Sequence, residues 1–352
     1  MIYKTVNVGA VTVGGAAPIS VQSMCSIPFS RFDELVRQAK ELEEAGCEIL
    51  RVSVPDKESA EGFAKLKKEL KIPLVADIHF DYRMALASID AGADKIRINP
   101  GNIGKEHIKK VTERAKERHI PIRVGINSGS LEKDILNKYG SPTAEALAES
   151  ARNNVKLLED LDFGDMIVSI KCSDVRKTVD AYRIFDRMND GRYPLHVGVT
   201  EAGTLHSGLI KNSVGIGALL LDGIGSTIRY SISAPPVEEI IAAKTLLRSL
   251  GLRKEGVEIV ACPTCGRTTT DVMGLAAELE KKLSNVKKHM KVAVMGCVVN
   301  GPGEAAEADI GVTGADGKYV IFAKNSDGKT EVVLRGADRQ TATDYILNEC
   351  YK

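Results

Sequence analysis

The sequence predicts an α/β protein: a (β/α)8 TIM-type barrel followed by a small α+β domain. Eight short runs rich in Val and Ile alternate with helical stretches through the first two-thirds of the chain. They recur about every 30 residues, as a barrel of roughly 250 residues requires. No G-x-G-x-x-G follows the first strand, which counts against an open doubly wound sheet. Beyond residue 250 the alternation stops, and short strands separated by turn signals take over. At 352 residues the chain is too long for one average domain. The expected division is a barrel over 1–250 that binds substrate and a second domain over 251–352.

The barrel strands are expected at 19–24, 49–54, 74–79, 95–99, 122–127, 166–171, 195–200 and 227–232. The clearest helix covers 32–42 and stops at Ala45-Gly46, a normal C-terminal signal. Asp90-Ala91-Gly92-Ala93-Asp94 repeats that helix–Gly–strand junction. Residues 212–221 read as a further helix, and Ala234-Pro235-Pro236 ends the eighth unit before a closing helix at 237–250. The second domain is expected to hold strands at 257–260, 292–295, 310–312, 319–323 and 331–334. Helices are expected there at 271–283 and 338–349, with hairpin turns at Ala315-Asp316-Gly317 and Ser326-Asp327-Gly328.

Side chains alternate across a strand, and barrel active sites lie at the C-terminal ends of the strands. Here those ends carry Arg51 with Ser53, Asp77 with His79, Arg97 with Asn99, and Arg123 with Asn127. Ser169 with Lys171, then His196, Gly198 and Thr200, then Arg229 with Ser231, complete the ring. Five cations on five strands meet two obvious acids, Asp77 and Glu201. Any one of these Arg residues alone reads as a salt bridge or a solvated face. Together they would be costly to bury without an anion, and the Arg fork matches phosphate oxygens. The expected ligand is a polyanion such as a diphosphate, with Glu201, just past strand seven, as proton donor. His79 and His196 read as hydrogen-bonded core histidines.

A net charge of +1 argues against nucleic acid as the main partner. No apolar run is long enough to span a membrane. No secretory signal is visible, so the seven cysteines are expected to be reduced in a cytoplasmic setting.

The cysteine-bearing stretch is Cys262-Pro263-Thr264-Cys265-Gly266, then Met295-Gly296-Cys297-Val298-Val299-Asn300-Gly301-Pro302-Gly303-Glu304. Each Cys loop follows a strand-like run, so the two loops can meet at one sheet edge. A structural zinc site needs four protein ligands, and three Cys fall here. His289 lies in a basic, solvated helix end and is a poor fourth. Glu304 could serve as a weak oxygen ligand to one iron of a cluster, leaving that iron open to substrate. An iron–sulfur site, a zinc half-site and a C-x-x-C redox pair all stay open on these residues.

Taken together, the motifs resemble the bacterial 4-hydroxy-3-methylbut-2-en-1-yl diphosphate synthases of the non-mevalonate isoprenoid pathway. Matching segments run along essentially the whole chain. They include Val21-Gln22-Ser23-Met24, Arg51-Val52-Ser53-Val54-Pro55, Ala76-Asp77-Ile78-His79-Phe80 and Lys95 to Asn102. Gly125 to Leu131, Thr200-Glu201-Ala202-Gly203 and both cysteine strings match as well. The resemblance implies reductive ring opening and dehydration of 2-C-methyl-D-erythritol 2,4-cyclodiphosphate. It implies a [4Fe–4S] cluster on Cys262, Cys265, Cys297 and Glu304, with a unique iron on the carboxylate side. Glu201 would give a proton, and Asn300 would sit by the cluster. Arg51, Arg97, Arg123, Lys171, Arg229 and Ser231 would hold the diphosphate, with Asn127 and Thr200 nearby. Electrons would come from flavodoxin or ferredoxin, and the enzyme would be a head-to-tail homodimer.

Two rivals remain. The barrel also resembles the dihydropteroate-synthase type, which with an added zinc ribbon would use the anion pocket for a pterin diphosphate but leaves residues 300–304 unexplained. A non-catalytic, zinc-stabilised sensor of a phosphorylated metabolite would keep its job without Glu201.

Overall fold

In the computed structural model, which describes residues 2–299, 303 and 307–352, the chain forms two compact units, Met1–Leu252 and Arg253–Lys352. The first begins with a hairpin of β1 (Val6–Val8) and β2 (Val11–Val13), antiparallel with Val6 opposite Val13. Eight parallel strands follow: β3 (Ser20–Met24), β4 (Ile49–Ser53), β5 (Leu74–Asp77), β6 (Lys95–Ile98), β7 (Ile122–Asn127), β8 (Met166–Lys171), β9 (His196–Val197) and β10 (Thr227–Ile228). Their order around the sheet is β8-β7-β6-β5-β4-β3-β10-β9. A bridge from Val168 to Leu195 joins the two ends and closes the barrel. All eight expected strands are present; β5, β9 and β10 are shorter than expected.

The helices follow their apolar spacing. In α1 (Phe32–Glu44), Leu35, Ala39 and Leu42 form the buried stripe, and Asp33 and Glu34 lie in the first turn, where the helix dipole favours acids. Next come α2 (Lys57–Glu69), α3 (Tyr82–Asp90), α4 (Lys105–Glu117), α5 (Lys133–Tyr139), α6 (Ala144–Glu159) and α7 (Val175–Asn189); α2, α3, α6 and α7 each start at a side-chain cap, from Asp56, Asp81, Thr143 and Asp174. The helix expected at 212–221 is α8 (Leu205–Leu221), seven residues longer at its start. The extra turns carry His206, Ser207 and Gly208, a polar and glycine-containing start that hides the helical period. The closing helix is α9 (Pro236–Ser249).

Outward strand residues such as Leu50, Val52, Ile96, Ile98, Val124, Val168 and Ile170 join the helices in one core. At one end of the barrel, inward-facing Ile49, Val75 and Ile167 pack against Val6, Val8 and Val13 of the hairpin. The hairpin is therefore an apolar plug at the end where the strands begin, opposite the charged ends.

In the second unit one five-stranded sheet has the order β11 (Val257–Ala261), β12 (Met290–Met295), β13 (Ile310–Ala315), β14 (Lys318–Lys324) and β15 (Thr330–Ala337). The first three strands run parallel and the last two turn back as antiparallel neighbours. Two helices, α10 (Val272–Leu283) and α11 (Arg339–Tyr351), cover the sheet through Leu275, Leu279, Ala342 and Ile346. Among the described residues, no helix is long and apolar enough to cross a membrane.

Candidate functional site

The C-terminal ends of the barrel strands enclose a polar cavity. Arg51, Asp77, His79, Arg97, Arg123, Asn127, Ser169, Lys171, Thr200, Arg229 and Ser231 line it. All eight residues expected to bind substrate are on this wall. Ser53, Asn99, Gly198 and His196, named from the same alternation, are not among the lining residues.

Two glycines make room for the cations. A Cβ at Gly125 would collide with the Arg97 guanidinium. One at Gly198 would overlap the Arg229 carbonyl and lie 3.0 Å from Lys171 Nζ.

Asp77 is the hub of the charge network. Its carboxylate lies 3.3 Å from Arg97 Nη1, 3.8 Å from Arg51 Nε and 4.0 Å from His79 Nε2. Burial pushes its pKa up, but the guanidiniums of Arg51, Arg97 and Arg123 outweigh that and hold it at about 2. Arg97 also donates to the Gly125 carbonyl at 3.3 Å. The Asn127 amide, with its oxygen turned toward Arg97, accepts from Nη2 at 3.1 Å. Burial, opposed by Asp77, lowers Arg51 to about 10. Burial and the neighbouring cations push Arg123 and Lys171 well below their ordinary ranges. Such a set is under-neutralised, and a bound polyanion would restore the balance.

Two expectations need correction. Glu201 was counted as one of two acids of the ring, yet it is exposed and does not line the cavity, although Thr200 does. The second buried acid is Glu239 on α9, which sequence reasoning missed. Arg229 donates to it from Nη2 at 3.2 Å and from Nε at 3.3 Å, and Ser23 Oγ donates to it at 2.9 Å. Its signal was present: Glu239 shares the helical period of the buried Ala243 and Leu247. The histidines are the other correction. His79 is exposed, and His196 is fully buried with neither ring nitrogen hydrogen-bonded among the described residues. Neither is a hydrogen-bonded core histidine. Lys95, wholly buried and donating to Gln22 Oε1 at 3.2 Å, also went unassigned.

Glu201 has a left-handed backbone, φ +52°. For a residue with a Cβ that costs about 1 kcal/mol or more and is characteristic of functional loops. Cys172 is buried in the core, where its sulfur accepts from the Asp174 amide at 3.5 Å; it packs and does not line the cavity.

In the second unit, Cys262 directly follows β11 and Cys297 follows β12 after one residue. These strands are parallel neighbours, with Ala261 beside Val294, so both loops leave the same sheet edge. The Gly296 amide donates to Cys262 Sγ at 3.3 Å, which sets the first thiol beside the second loop. The Cys265 amide donates to Thr268 Oγ1 at 3.0 Å, and Thr313 Oγ1 donates to the Cys297 carbonyl at 2.7 Å. Thr264, between the first two cysteines, is left-handed at φ +61°. Asn300 and Glu304 lie outside the described residues. Among the described residues, no three His, Cys, Asp or Glu side chains converge closely enough for a single metal ion. Soft sulfur donors with an amide N–H directed at one sulfur suit an iron–sulfur group, whose ligands are spread around several metals.

Comparison with known proteins completes the description. Residues 3–244 match the model of the GcpE TIM-barrel domain, and residues 258–350 match that of the GcpE protein C-terminal domain. A 4-hydroxy-3-methylbut-2-en-1-yl diphosphate synthase (flavodoxin) from Caldanaerobacter subterraneus is 57% identical over 92% of this chain and 91% of its own. Synthases of the same name from Clostridium acetobutylicum and Anoxybacillus flavithermus are 50% and 52% identical. They are matched over 98% and 99% of this chain, and 97% and 94% of their own. Among solved structures, a dihydropteroate synthase from Stenotrophomonas maltophilia superposes with a TM-score of 0.52 at 10% identity, over 71% of this chain and 99% of that one. At that identity the likeness is one of barrel fold alone. With both of its domains matched and relatives of more than half identity along nearly its full length, the chain belongs to the GcpE family.

Proposed function

We propose that the chain catalyses the two-electron reductive ring opening of 2-C-methyl-D-erythritol 2,4-cyclodiphosphate, giving 4-hydroxy-3-methylbut-2-enyl diphosphate and water. The observation that carries this is the cationic cavity: five buried or half-buried cations around one lining carboxylate, at the functional end of a barrel. The names of the full-length relatives support the substrate and point to flavodoxin as electron donor, with ferredoxin as the other candidate.

Arg51, Arg97, Arg123, Lys171 and Arg229 would bind the diphosphate oxygens, and Ser231, Thr200 and Asn127 would fix its orientation. Glu201, next to Thr200, would deliver the proton that accompanies loss of water, its strained backbone setting the direction of the side chain. Cys262, Cys265, Cys297 and Glu304 would hold a [4Fe–4S] cluster, which would pass the two electrons from the donor protein to the substrate. Asn300 would lie beside it. The working form would be a cytoplasmic, head-to-tail homodimer.

The test is protein purified without oxygen. Iron and acid-labile sulfide in equal amounts, with turnover of the cyclic diphosphate by reduced flavodoxin, are expected. Glu304→Ala should give a cluster that is lost on desalting. A colourless protein carrying one zinc would overturn the assignment.

A further inference from the structure

Beneath the cationic cavity the barrel interior holds a second polar layer, of which the proposed reaction uses only Arg123. Strand register locates it. Thr227 pairs with Ser20 on one side and His196 on the other, so the three share the inward face of Arg229. Gln22 lies two residues past Ser20 on that face and bonds Lys95. Arg123, paired with the inward Arg97, links this layer to the cavity above. The apolar plug of Ile49, Val75, Ile167 and the hairpin valines seals the floor. Every member of the layer is at most 2% exposed.

The bonding of this layer is incomplete. Ser20 Oγ, Gln22 Nε2, Thr227 Oγ1 and both nitrogens of His196 have no hydrogen-bond partner among the described residues; Arg123 Nε and Nη1 also have none, but the diphosphate proposed for the cavity above could serve them. Buried polar atoms are satisfied in roughly nine cases in ten, so such a concentration in one layer implies a missing partner. The unmet groups are mostly donors: amide, guanidinium and hydroxyl, plus one imidazole N–H. The one side-chain amide acceptor, Gln22 Oε1, already serves Lys95. The layer holds two cations and no carboxylate. Water could meet some donors but would leave Lys95 without a counter-charge in the layer, while Arg123 has only Asp77, which it shares with Arg51 and Arg97. A monoanion accepts from several donors at once and offsets the charge.

The geometry points to an internal site for a small, halide-sized monovalent anion, bounded by Ser20, Gln22, Lys95, Arg123, His196 and Thr227. Burial, with Arg123 and Arg51 nearby, holds the Lys95 pKa well below its ordinary range; a bound anion would raise it again. The site is distinct from the diphosphate cavity, whose lining omits five of these six residues.

Crystals grown in sodium bromide test it directly, with melting temperature measured in bromide against equal sodium gluconate. Inorganic pyrophosphate is kept present throughout to fill the upper cavity. An anomalous bromide peak inside the layer is expected, with a higher melting temperature in bromide. Lys95→Met should abolish both effects. The isosteric Thr227→Val should weaken apparent bromide affinity about tenfold, and it carries the test if Lys95→Met does not fold. Ordered water at these donors with equal melting temperatures in both salts would overturn the site. So would a peak confined to the upper cavity, or a peak with no salt-specific stabilisation, which is an adventitious ion only.

Discussion

Asp77→Asn keeps the shape of the hub residue and removes its charge. In the folded protein the carboxylate is held at about 2, against an ordinary 3.8, by Arg51, Arg97 and Arg123 despite its burial. That depression is worth about 2 kcal/mol. Because the folded value is the lower one, this stability is present above pH ~4 and is lost as pH falls toward ~2. The variant should therefore be about 2 kcal/mol less stable than the parent at neutral pH, and the gap should close in acid. Its effect on anion binding has the opposite sign. A phosphate charge roughly 7 Å from Asp77, at an effective dielectric of about 20, is repelled by about 2 kcal/mol. Arg97 keeps its bond to the Gly125 carbonyl, and Arg51 still donates to Met24 Sδ at 2.9 Å, so the cations stay in place. Inorganic pyrophosphate should bind the variant about thirtyfold more tightly. Urea titrations at several pH values and calorimetric titration with pyrophosphate measure both effects. Binding weakened tenfold would refute the charge-balance argument and make Asp77 chiefly an aligner of the guanidiniums.

Other outcomes follow from the same geometry. Gly198→Ala puts a methyl against the Arg229 carbonyl, a backbone atom that cannot step aside, so stability should fall by about 2–3 kcal/mol in urea unfolding. Glu239→Gln strips the buried partner from Arg229 and weakens the tie to Ser23, and should cost about 2–3 kcal/mol in the same assay. Glu201→Gln should lower turnover by about two orders of magnitude while leaving pyrophosphate affinity within about twofold, because the residue lies off the cavity wall. Unchanged turnover would remove Glu201 from the proton-transfer role.

Much of this protein is legible in its sequence because two local periods govern it. Strand alternation assigns Arg51, Arg97, Arg123, Lys171 and Arg229 to one face, and the apolar residues between them, such as Val52, Ile98, Val124 and Ile170, face the helices. The cysteine loops are legible for the same reason, since each follows a strand and exits at its end. What sequence could not supply are relations between residues distant along the chain. Glu239 becomes a counter-ion only because α9 folds back on β3 and β10, bringing it to Ser23 from 216 residues away. The hairpin valines become a plug only when the barrel closes above them. His196 follows the same pattern as any inward strand residue, and nothing local tells that it lies near Arg123 and Lys171 with no hydrogen-bond partner among the described residues. Local periodicity decides which way a side chain points. What it meets there depends on register and closure, which are set by the packing of the whole barrel.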